Sequence, residues 1–299
     1  FAFVIIVVSL VLLVTTMNLH KEFYSFELPH LEYFFLIIEF AMLVWIIIRG
    51  IKYKKFGTIL LVLIQAGLLI YNLLYVETSG KIENALFIDK FSLIIVAIIG
   101  IIGSLICIYA IGYMQDYHKH HKDVPNRRNV FALYLFVFLS AMFGIVFSNN
   151  MFWLNFFWEV TTFCSFVMIG YSGTKEAVNN SFRAVYMNLI GGVVFTAGII
   201  FMSKNFHIVN LDQLFDLTKQ GESAAVIVCL CLCFAGIVKS AQFPFSSWLL
   251  GAMVAPTPVS ALLHSSAMVK AGVYLVVRVA PLIAGTIGGN SIALIGALT

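Results

Sequence analysis

The sequence predicts an all-α integral membrane protein, a polytopic bundle of transmembrane helices. Three observations predict this fold class. Of the 299 residues, 61% are hydrophobic and only 11% are charged, whereas a soluble domain has roughly 45–50% and 25%. A soluble fold of this size has too little interior for so much apolar surface. The apolar residues also fall in runs of about 20, the length that crosses a bilayer as a helix. This composition excludes a soluble enzyme, a nucleic-acid-binding protein and a disordered chain.

Nine apolar runs are candidate spans, and a tenth begins near residue 290. The predicted spans are 1–17, 31–48, 57–76, 91–113, 129–148, 151–171, 183–203, 224–243 and 259–284. The first run has no initiator Met and the last is too short to cross a bilayer, so we expect the chain to be part of a longer protein. We divide it into N-terminal membrane spans, 1–84, and a membrane domain, 85–299, that is truncated at its C-terminus.

The charged residues of the connections predict the orientation of the bundle. Three connections have an excess of Lys and Arg: 49–55, 114–128 and 172–183. The three intervening connections are net acidic: 18–32, 77–90 and 204–223. The two sets alternate, as they should if every run crosses the membrane once. Basic loops stay on the cytoplasmic side, so we expect a multi-pass protein of the plasma membrane with the basic loops in the cytoplasm.

The segment 204–223 has a pattern of its own. Leu211, Leu214 and Phe215 recur at helical spacing, and Asp212 lies on the opposite side. This pattern is typical of a short amphipathic helix at the membrane surface. A solvated loop is the alternative.

Ionisable side chains inside the spans are the candidate functional residues, because each is costly in a bilayer unless it is paired or hydrated. Glu159 is the only acid in its span and lies about 12 Å along the helix from Met151, near mid-membrane. Lys239 lies in an apolar run two spans further on. Both groups gain or lose a proton according to the opposite charge nearby, so both are candidate proton carriers. The alternatives are a neutral, hydrogen-bonded Glu159 and a Lys239 that reaches the interface.

Prolines after Lys239 predict a broken helix. Pro244 cannot continue an α-helix, and Pro256 and Pro258 follow it. Interrupted helices at membrane depth are tolerated where they pack against protein or line a water-filled cavity. We therefore expect 239–260 to border a polar path.

Three further ionisable residues in predicted spans are candidates. His264 and Lys270 follow the broken region and are accompanied by serine hydroxyls. Histidine can pass a proton through either ring nitrogen, so both residues are candidates for a relay from Lys239, with a packing role as the alternative. For Glu39 there are two alternatives, a role in transport and a role as a hydrogen-bonded or interface carboxylate.

No pattern indicates a cofactor or a hydrolytic site. The cysteines of 229–233 do not all share one helix face, which is poor geometry for a metal cluster. The histidines of 118–121 fit a solvated surface better than a metal site. We therefore predict no catalytic residue, cofactor or metal in this chain.

Several motifs resemble one family of membrane proteins. They include Lys239-Ser-Ala-Gln-Phe-Pro, Ala255-Pro-Thr-Pro-Val-Ser-Ala-Leu-Leu-His264, Met268-Val-Lys-Ala-Gly, Ile88-Asp-Lys-Phe-Ser92, Ile108-Tyr-Ala-Ile-Gly-Tyr-Met114 and Trp158-Glu159. These motifs are similar to those of the antiporter-like, proton-pumping membrane subunits of respiratory complex I, membrane-bound nickel–iron hydrogenases and multisubunit sodium/proton antiporters. The resemblance covers about 85–299.

The resemblance implies a bundle of two inverted helical repeats, each with a broken helix that bears a lysine, and this chain would hold one of them. It implies that Glu159 and Lys239 form a Glu/Lys pair and that His264 connects the pair to the second half. It also implies partners: other membrane subunits, membrane lipid and peripheral redox subunits with iron–sulfur and nickel–iron centres, but no nucleic acid.

Departures from the complex I subunit favour a hydrogenase-type relative. Asn188-Leu-Ile-Gly-Gly192 stands where an arginine and an aspartate are expected, and Lys270 replaces a threonine. Phe245-Ser-Ser-Trp248 resembles the large antiporter-like subunit of an energy-converting hydrogenase. We therefore expect a proton-translocating or sodium-translocating subunit of a redox-driven complex. The alternatives are a subunit of a multisubunit sodium/proton antiporter without a redox partner, and a scaffold that does not pump.

Overall fold

The computed structural model describes residues 2–16, 22–25, 31–75 and 84–299. The helices and strands are α1 (Ala2–Thr16), β1 (Glu22–Tyr24), α2 (Leu31–Lys52), α3 (Phe56–Tyr75), β2 (Leu86–Ile88), α4 (Lys90–Ile98), α5 (Ser104–His120), α6 (Arg128–Phe147), α7 (Met151–Ile169), α8 (Lys175–Phe206), α9 (Leu211–Lys219), α10 (Ser223–Lys239), α11 (Ser247–Gly251), α12 (Thr257–Ala261), α13 (Met268–Ile283) and α14 (Ile287–Leu298). Two π-helical turns, Ile99–Gly103 and Leu262–Ser266, join α4 to α5 and α12 to α13.

Within the described residues, seven helices are long and apolar enough to cross a membrane. They are Leu31–Lys52, Phe56–Leu74, Lys90–His120, Arg128–Phe147, Met151–Ile169, Lys175–Phe206 and Thr257–Ile283. Two of the other predicted spans are shorter apolar helices, α10 and α14. The predicted all-α membrane bundle is therefore confirmed.

Several predicted spans differ in length from the observed helices, and two of the differences have a local cause in the backbone. The span predicted over 183–203 is the middle of α8, which begins at Lys175 because the Thr174 hydroxyl accepts a hydrogen bond from the Ala177 N–H at 3.2 Å. The span predicted over 224–243 ends at Lys239, because Ala241 adopts a left-handed backbone conformation with φ of 55°. Lys239 is therefore the last residue of its helix.

The amphipathic pattern in 204–223 forms α9 over its central part. The Asn210 N–H donates to Gln213 Oε1 at 3.3 Å at the start of this helix, and Leu211 and Leu214 are buried beneath it. The residues before His207 belong to α8, which ends where His207 turns left-handed with φ of 54°.

The basic connections lie together at one end of the bundle, hereafter the basic end. Lys55 Nζ donates to Asn179 Oδ1 at 2.8 Å, which joins the α2–α3 connection to the start of α8. Arg127 Nη2 donates to the Tyr171 carbonyl at 3.2 Å, and His118 Nε2 lies 2.8 Å from the Tyr171 hydroxyl. These contacts agree with the predicted alternation of the loops.

The opposite end, hereafter the acidic end, is held together by backbone pairing. Strands β1 and β2 pair antiparallel, and isolated bridges join Leu86 to Ser148 and Asn150 to Asn210. Asn149 Nδ2 donates to Asp212 Oδ1 at 2.7 Å, which fixes α9 across this end. Most of the acidic connections 18–32 and 77–90 lie outside the described residues.

The α-helical conformation is interrupted three times between Lys239 and α13. Pro244 lies in the connection between α10 and α11. Pro256 directly precedes α12, and Pro258 falls in its first turn, where a missing N–H costs little. The third interruption is the π-helical turn before α13, which contains His264 and no proline. The sequence did not predict this third break.

Candidate functional site

Helix α7 is the central element of the site. The Asn150 side chain starts the helix by accepting hydrogen bonds from the N–H groups of Phe152 at 2.9 Å and Trp153 at 3.2 Å. Most of the residues of α7 are buried, and it packs against α2, α6 and α8. Glu159 is 5% exposed near the middle of this helix.

Lys239 is held against α7 at the end of α10, with 1% of its surface exposed. Its Nζ donates to the Trp158 carbonyl at 2.7 Å and to Thr162 Oγ1 at 2.9 Å. The ammonium also lies 4.6 Å from the centre of the Trp158 ring, where the face of the indole attracts a cation. Two oxygen acceptors and an aromatic face therefore replace the water that a lysine loses on burial.

Glu159 is the residue next to Trp158, but its carboxyl group lies against α8. A Cβ placed on Gly192 would overlap Glu159 Oε1 and would come within 3.3 Å of its Cδ. Only glycine leaves room for the carboxyl at this position. Gly192, the last residue of the segment Asn188–Gly192, thus has a packing role that could not be predicted from the sequence.

Glu159 and Lys239 are close without forming a direct ion pair. The ion pairs within 4.0 Å among the described residues do not include these two groups, although each acts electrostatically on the other. Glu159 Oε1 also has no hydrogen-bond partner in the described part of the chain. A buried unsatisfied acceptor costs about 1–3 kcal/mol, and a proton on the carboxyl or a bound water removes that cost.

The predicted relay residues are near this region but are not joined to it. Within the described ranges, no hydrogen bond or ion pair links His264 or Lys270 to Lys239. His264 Nε2 is buried without a hydrogen-bond partner in the same ranges. Helix α13 packs closely against the end of α10. A Cβ added to Gly272 would lie 2.6 Å from the backbone nitrogen of Ser240, the residue after α10. The predicted relay would therefore need bridging water between α12 or α13 and Lys239.

Glu39 is 4% exposed on α2, where the charge of Glu159 acts on it. Beside it, Gln65 Nε2 donates to Thr196 Oγ1 at 2.9 Å, and Thr196 Oγ1 donates to Asn155 Oδ1 at 3.4 Å. The sequence analysis missed these three polar residues. The available signal was spacing, since Asn155 precedes Glu159 by one helical turn and therefore shares its face.

Sequence reasoning also missed Arg278, a basic residue inside a predicted span. Its guanidinium donates to both carboxylate oxygens of Asp89, at 2.7 and 2.9 Å, and to Ser92 Oγ at 2.9 Å. Burial alone would raise the pKa of Asp89, but the hydrogen bonds from Arg278 and Ser92 outweigh it and lower that pKa to about 2. This bidentate pair clamps the start of α4 to α13 at the acidic end.

No group of three or more His, Cys, Asp or Glu side chains that could hold a metal ion occurs in 2–16, 22–25, 31–75 and 84–299. Cys229 and Cys233 are buried on α10, and Cys231 is partly buried. All three are free thiols in the described structure.

The fold defines a class, the polytopic α-helical membrane proteins, and this member buries an acid on α7 and a base at the end of α10. The family described as "NADH:quinone oxidoreductase/Mrp antiporter, TM" matches residues 148–299, about half of the chain. The N-terminal region of complex I chain 5 matches residues 76–122. The chain belongs to this family of antiporter-like membrane subunits, which confirms the resemblance seen in the motifs.

Two similar curated relatives are named Na(+)/H(+) antiporter subunit A1. The relative from Staphylococcus haemolyticus is 38% identical over 218 residues, which is 72% of this chain and 26% of the relative. The relative from Staphylococcus aureus is 34% identical over the same length. The chain thus spans about a quarter of the length of these relatives.

Two solved structures share the fold. The Mrp complex from Dietzia sp. DQ12-45-1b has a TM-score of 0.63 and 24% identity, over 87% of this chain and 29% of that chain. The membrane-bound sulfane sulfur reductase, an archaeal respiratory membrane complex, has a TM-score of 0.58 and 17% identity, over 98% of this chain and 55% of that chain. At these identities both likenesses show the fold alone. The name of the curated relatives, subunit A1, agrees with the predicted membrane partners. The preference for a hydrogenase-type relative is not confirmed, and the antiporter alternative fits the relatives better.

Proposed function

We propose that the chain moves protons in exchange for sodium or another monovalent cation, as one membrane subunit of a multisubunit antiporter. Glu159 and Lys239 are the ion-carrying pair in this proposal. The observation that carries it is the burial of one acid and one base, 5% and 1% exposed, with Lys239 bonded to α7, the helix that bears Glu159. The similarity to sodium/proton antiporter subunits supports the same function.

The contacts of Lys239 suit reversible protonation. Thr162 and the Trp158 carbonyl accept hydrogen bonds from the ammonium, and the Thr162 hydroxyl can turn to donate to a neutral amine. A negative charge on Glu159 favours the ammonium, and a proton on Glu159 removes that attraction. Each proton that reaches Glu159 therefore loosens the hold on the proton of Lys239.

The non-helical residues after Lys239 offer hydrogen-bonding groups that can lead a released proton away. Residues 240–246 are not helical, so they offer backbone polar groups at membrane depth. In this proposal His264 and Lys270 continue the path sideways through bridging water. By the positive-inside rule the basic end faces the cytoplasm, in the plasma membrane.

A redox-driven complex is the second candidate. Phe245-Ser-Ser-Trp248 and Lys270 resemble the hydrogenase-type subunit, and the sulfane sulfur reductase shares the fold. In that case the partners include peripheral subunits with iron–sulfur and nickel–iron centres, and electron transfer supplies the energy.

The source of energy separates the two candidates. The purified complex that contains this chain is reconstituted into sodium-loaded liposomes, which are diluted into sodium-free buffer without an electron donor. We expect the interior to acidify as sodium leaves, as reported by an internal pH dye. Acidification that requires an electron donor and acceptor would instead support the redox-driven candidate. No proton movement under either condition would overturn both and leave a scaffold.

A further inference from the structure

We propose that α2 and α3 give Glu159 an access path for protons from the acidic end, and that Glu39 is the proton-binding carboxylate on this path. This inference rests on the proposed function, because Glu159 is the ion carrier that the path would serve. It assigns a role to two helices that lie outside the residues matched by the family comparisons, 76–122 and 148–299.

A cavity of about 130 Å³ lies between α2, α3 and α7, hereafter the access cavity. Its lining residues with polar groups are Glu32, Tyr33, Glu39, Asn72, Trp153 and Asn155. Glu32 is in the first turn of α2 and Asn72 is in the last turn of α3, so the cavity begins at the acidic end. It has room for several water molecules and enough polar partners to hold them.

Several polar atoms in and around this cavity are buried without a partner. Glu39 Oε1, Gln65 Oε1, Asn72 Oδ1 and Trp153 Nε1 have no hydrogen-bond partner in the described part of the chain. Glu39 itself is 4% exposed, and Gln65 is fully buried. Gln65 also hydrogen-bonds the Glu39 carboxyl, but the atoms named above have no protein partner, and an unsatisfied buried polar atom is costly. Water can donate to the oxygen atoms and accept from the indole N–H, so water is the partner that this set would bind.

The polar groups continue inward from the access cavity to Glu159. Gln65 donates to Thr196, and Thr196 donates to Asn155. Asn155 lies one turn of α7, about 6 Å, from Glu159. Thr196 likewise lies one turn of α8 from Gly192, the residue against which the Glu159 carboxyl packs. Amide, hydroxyl and carboxyl groups therefore form a series with Glu39 at one end and Glu159 at the other, and bridging water would close the last step from Asn155 to Glu159.

Cysteine labelling tests the access path without relying on transport. Asn72→Cys lines the access cavity, whereas Ile70→Cys lies two residues away on the same helix with 46% of the side chain exposed on the apolar surface. The whole complex is placed in vesicles, and a cationic, membrane-impermeant methanethiosulfonate is added on the side of the membrane at which the acidic end of the bundle lies. We expect Asn72→Cys to react at least about tenfold faster than Ile70→Cys, with the unsubstituted chain as the background. Equal, slow labelling would show that the cavity is closed and would overturn the path.

The carboxylate of Glu39 is tested in the same experiment. Glu39→Gln, added to Asn72→Cys, is compared with Asn72→Cys alone over a series of pH values, with the cationic reagent and with a neutral reagent of similar size. The ratio of the cationic to the neutral reagent's rate should rise several-fold with pH where Glu39 is present, because the carboxyl loses its proton, and should stay constant in Glu39→Gln. A ratio with the same pH dependence in both variants would overturn the role of Glu39.

Transport then separates this inference from the proposed function. Per assembled complex, Glu39→Gln should lower proton transport at least about fivefold, and Glu176→Gln at the exposed start of α8 should leave it unchanged. If Glu159→Gln stops transport while Glu39→Gln does not, the access path is wrong and the proposed function stands. If Glu159→Gln has no effect, the proposed function itself fails.

Discussion

Gly192→Ala is the substitution that tests most sharply how Glu159 is placed. The added Cβ would overlap Glu159 Oε1 and lie 3.3 Å from its Cδ. The carboxyl would have to retreat by about 1 Å to regain ordinary van der Waals separation. A displacement of that size at a reacting group typically lowers a rate by about 10²-fold, so we expect transport to fall by about 10- to 100-fold.

The stability effect of the same substitution should be small. Overpacking a well-filled core costs about 1–3 kcal/mol, and replacing glycine by alanine within a helix returns about 1 kcal/mol. The net loss is therefore about 0–2 kcal/mol, which a large bundle can tolerate. Transport should fall much more than the amount of assembled complex.

The assay is proton transport by the reconstituted complex, normalised to the assembled complex recovered from the membrane. Gly67→Ala is the matched control, because no atom lies within 4 Å of its new Cβ. Gly191→Ala tests the neighbouring position, where the Cβ meets Val238 Cβ at 3.1 Å and leaves Glu159 untouched. Transport by Gly192→Ala within twofold of the unsubstituted chain would refute the inferred placement of the carboxyl.

Three further predictions concern the ends of the bundle and the relay. Asp89→Asn should lower the unfolding temperature by a similar amount at about pH 5 and about pH 8. The pKa of Asp89 is lowered to about 2 in the folded protein, so the stability that its pair with Arg278 contributes declines only as the pH falls below about 4. A fall in unfolding temperature confined to one of the two pH values would contradict this. His264→Ala should slow proton transport more than it reduces assembly, and proportional losses in both would show a packing role. Lys52→Cys and Lys119→Cys should react with an impermeant thiol reagent only from the cytoplasmic side, and labelling from outside intact cells would reverse the topology.

The composition of the sequence was enough to identify the membrane bundle and its buried charges. Glu159 and Lys239 stood out because the runs around them are otherwise apolar, and the structure buries both. The end of α10 was harder to locate. Pro244 suggested a break, but the helix ends five residues earlier, where the chain reverses through Ala241 in a left-handed conformation that alanine rarely adopts.

Contacts between distant parts of the chain could not be predicted from local patterns. Gln65 and Thr196 are separated by 131 residues, and Arg278 and Asp89 by 189. Each residue alone resembles an incidental polar group in an apolar run. Their significance depends on which helix faces meet, and hydrophobic periodicity does not determine this for helices that are apolar on most sides.

The most direct test of the central claim, that Glu159 carries the transported proton, is the transport rate of the Glu159→Gln complex. Glutamine keeps the size and hydrogen-bonding capacity of the side chain while removing its titratable proton. We expect transport per assembled complex to fall at least about tenfold, with assembly close to that of the unsubstituted chain. An unchanged transport rate at normal assembly would contradict the claim.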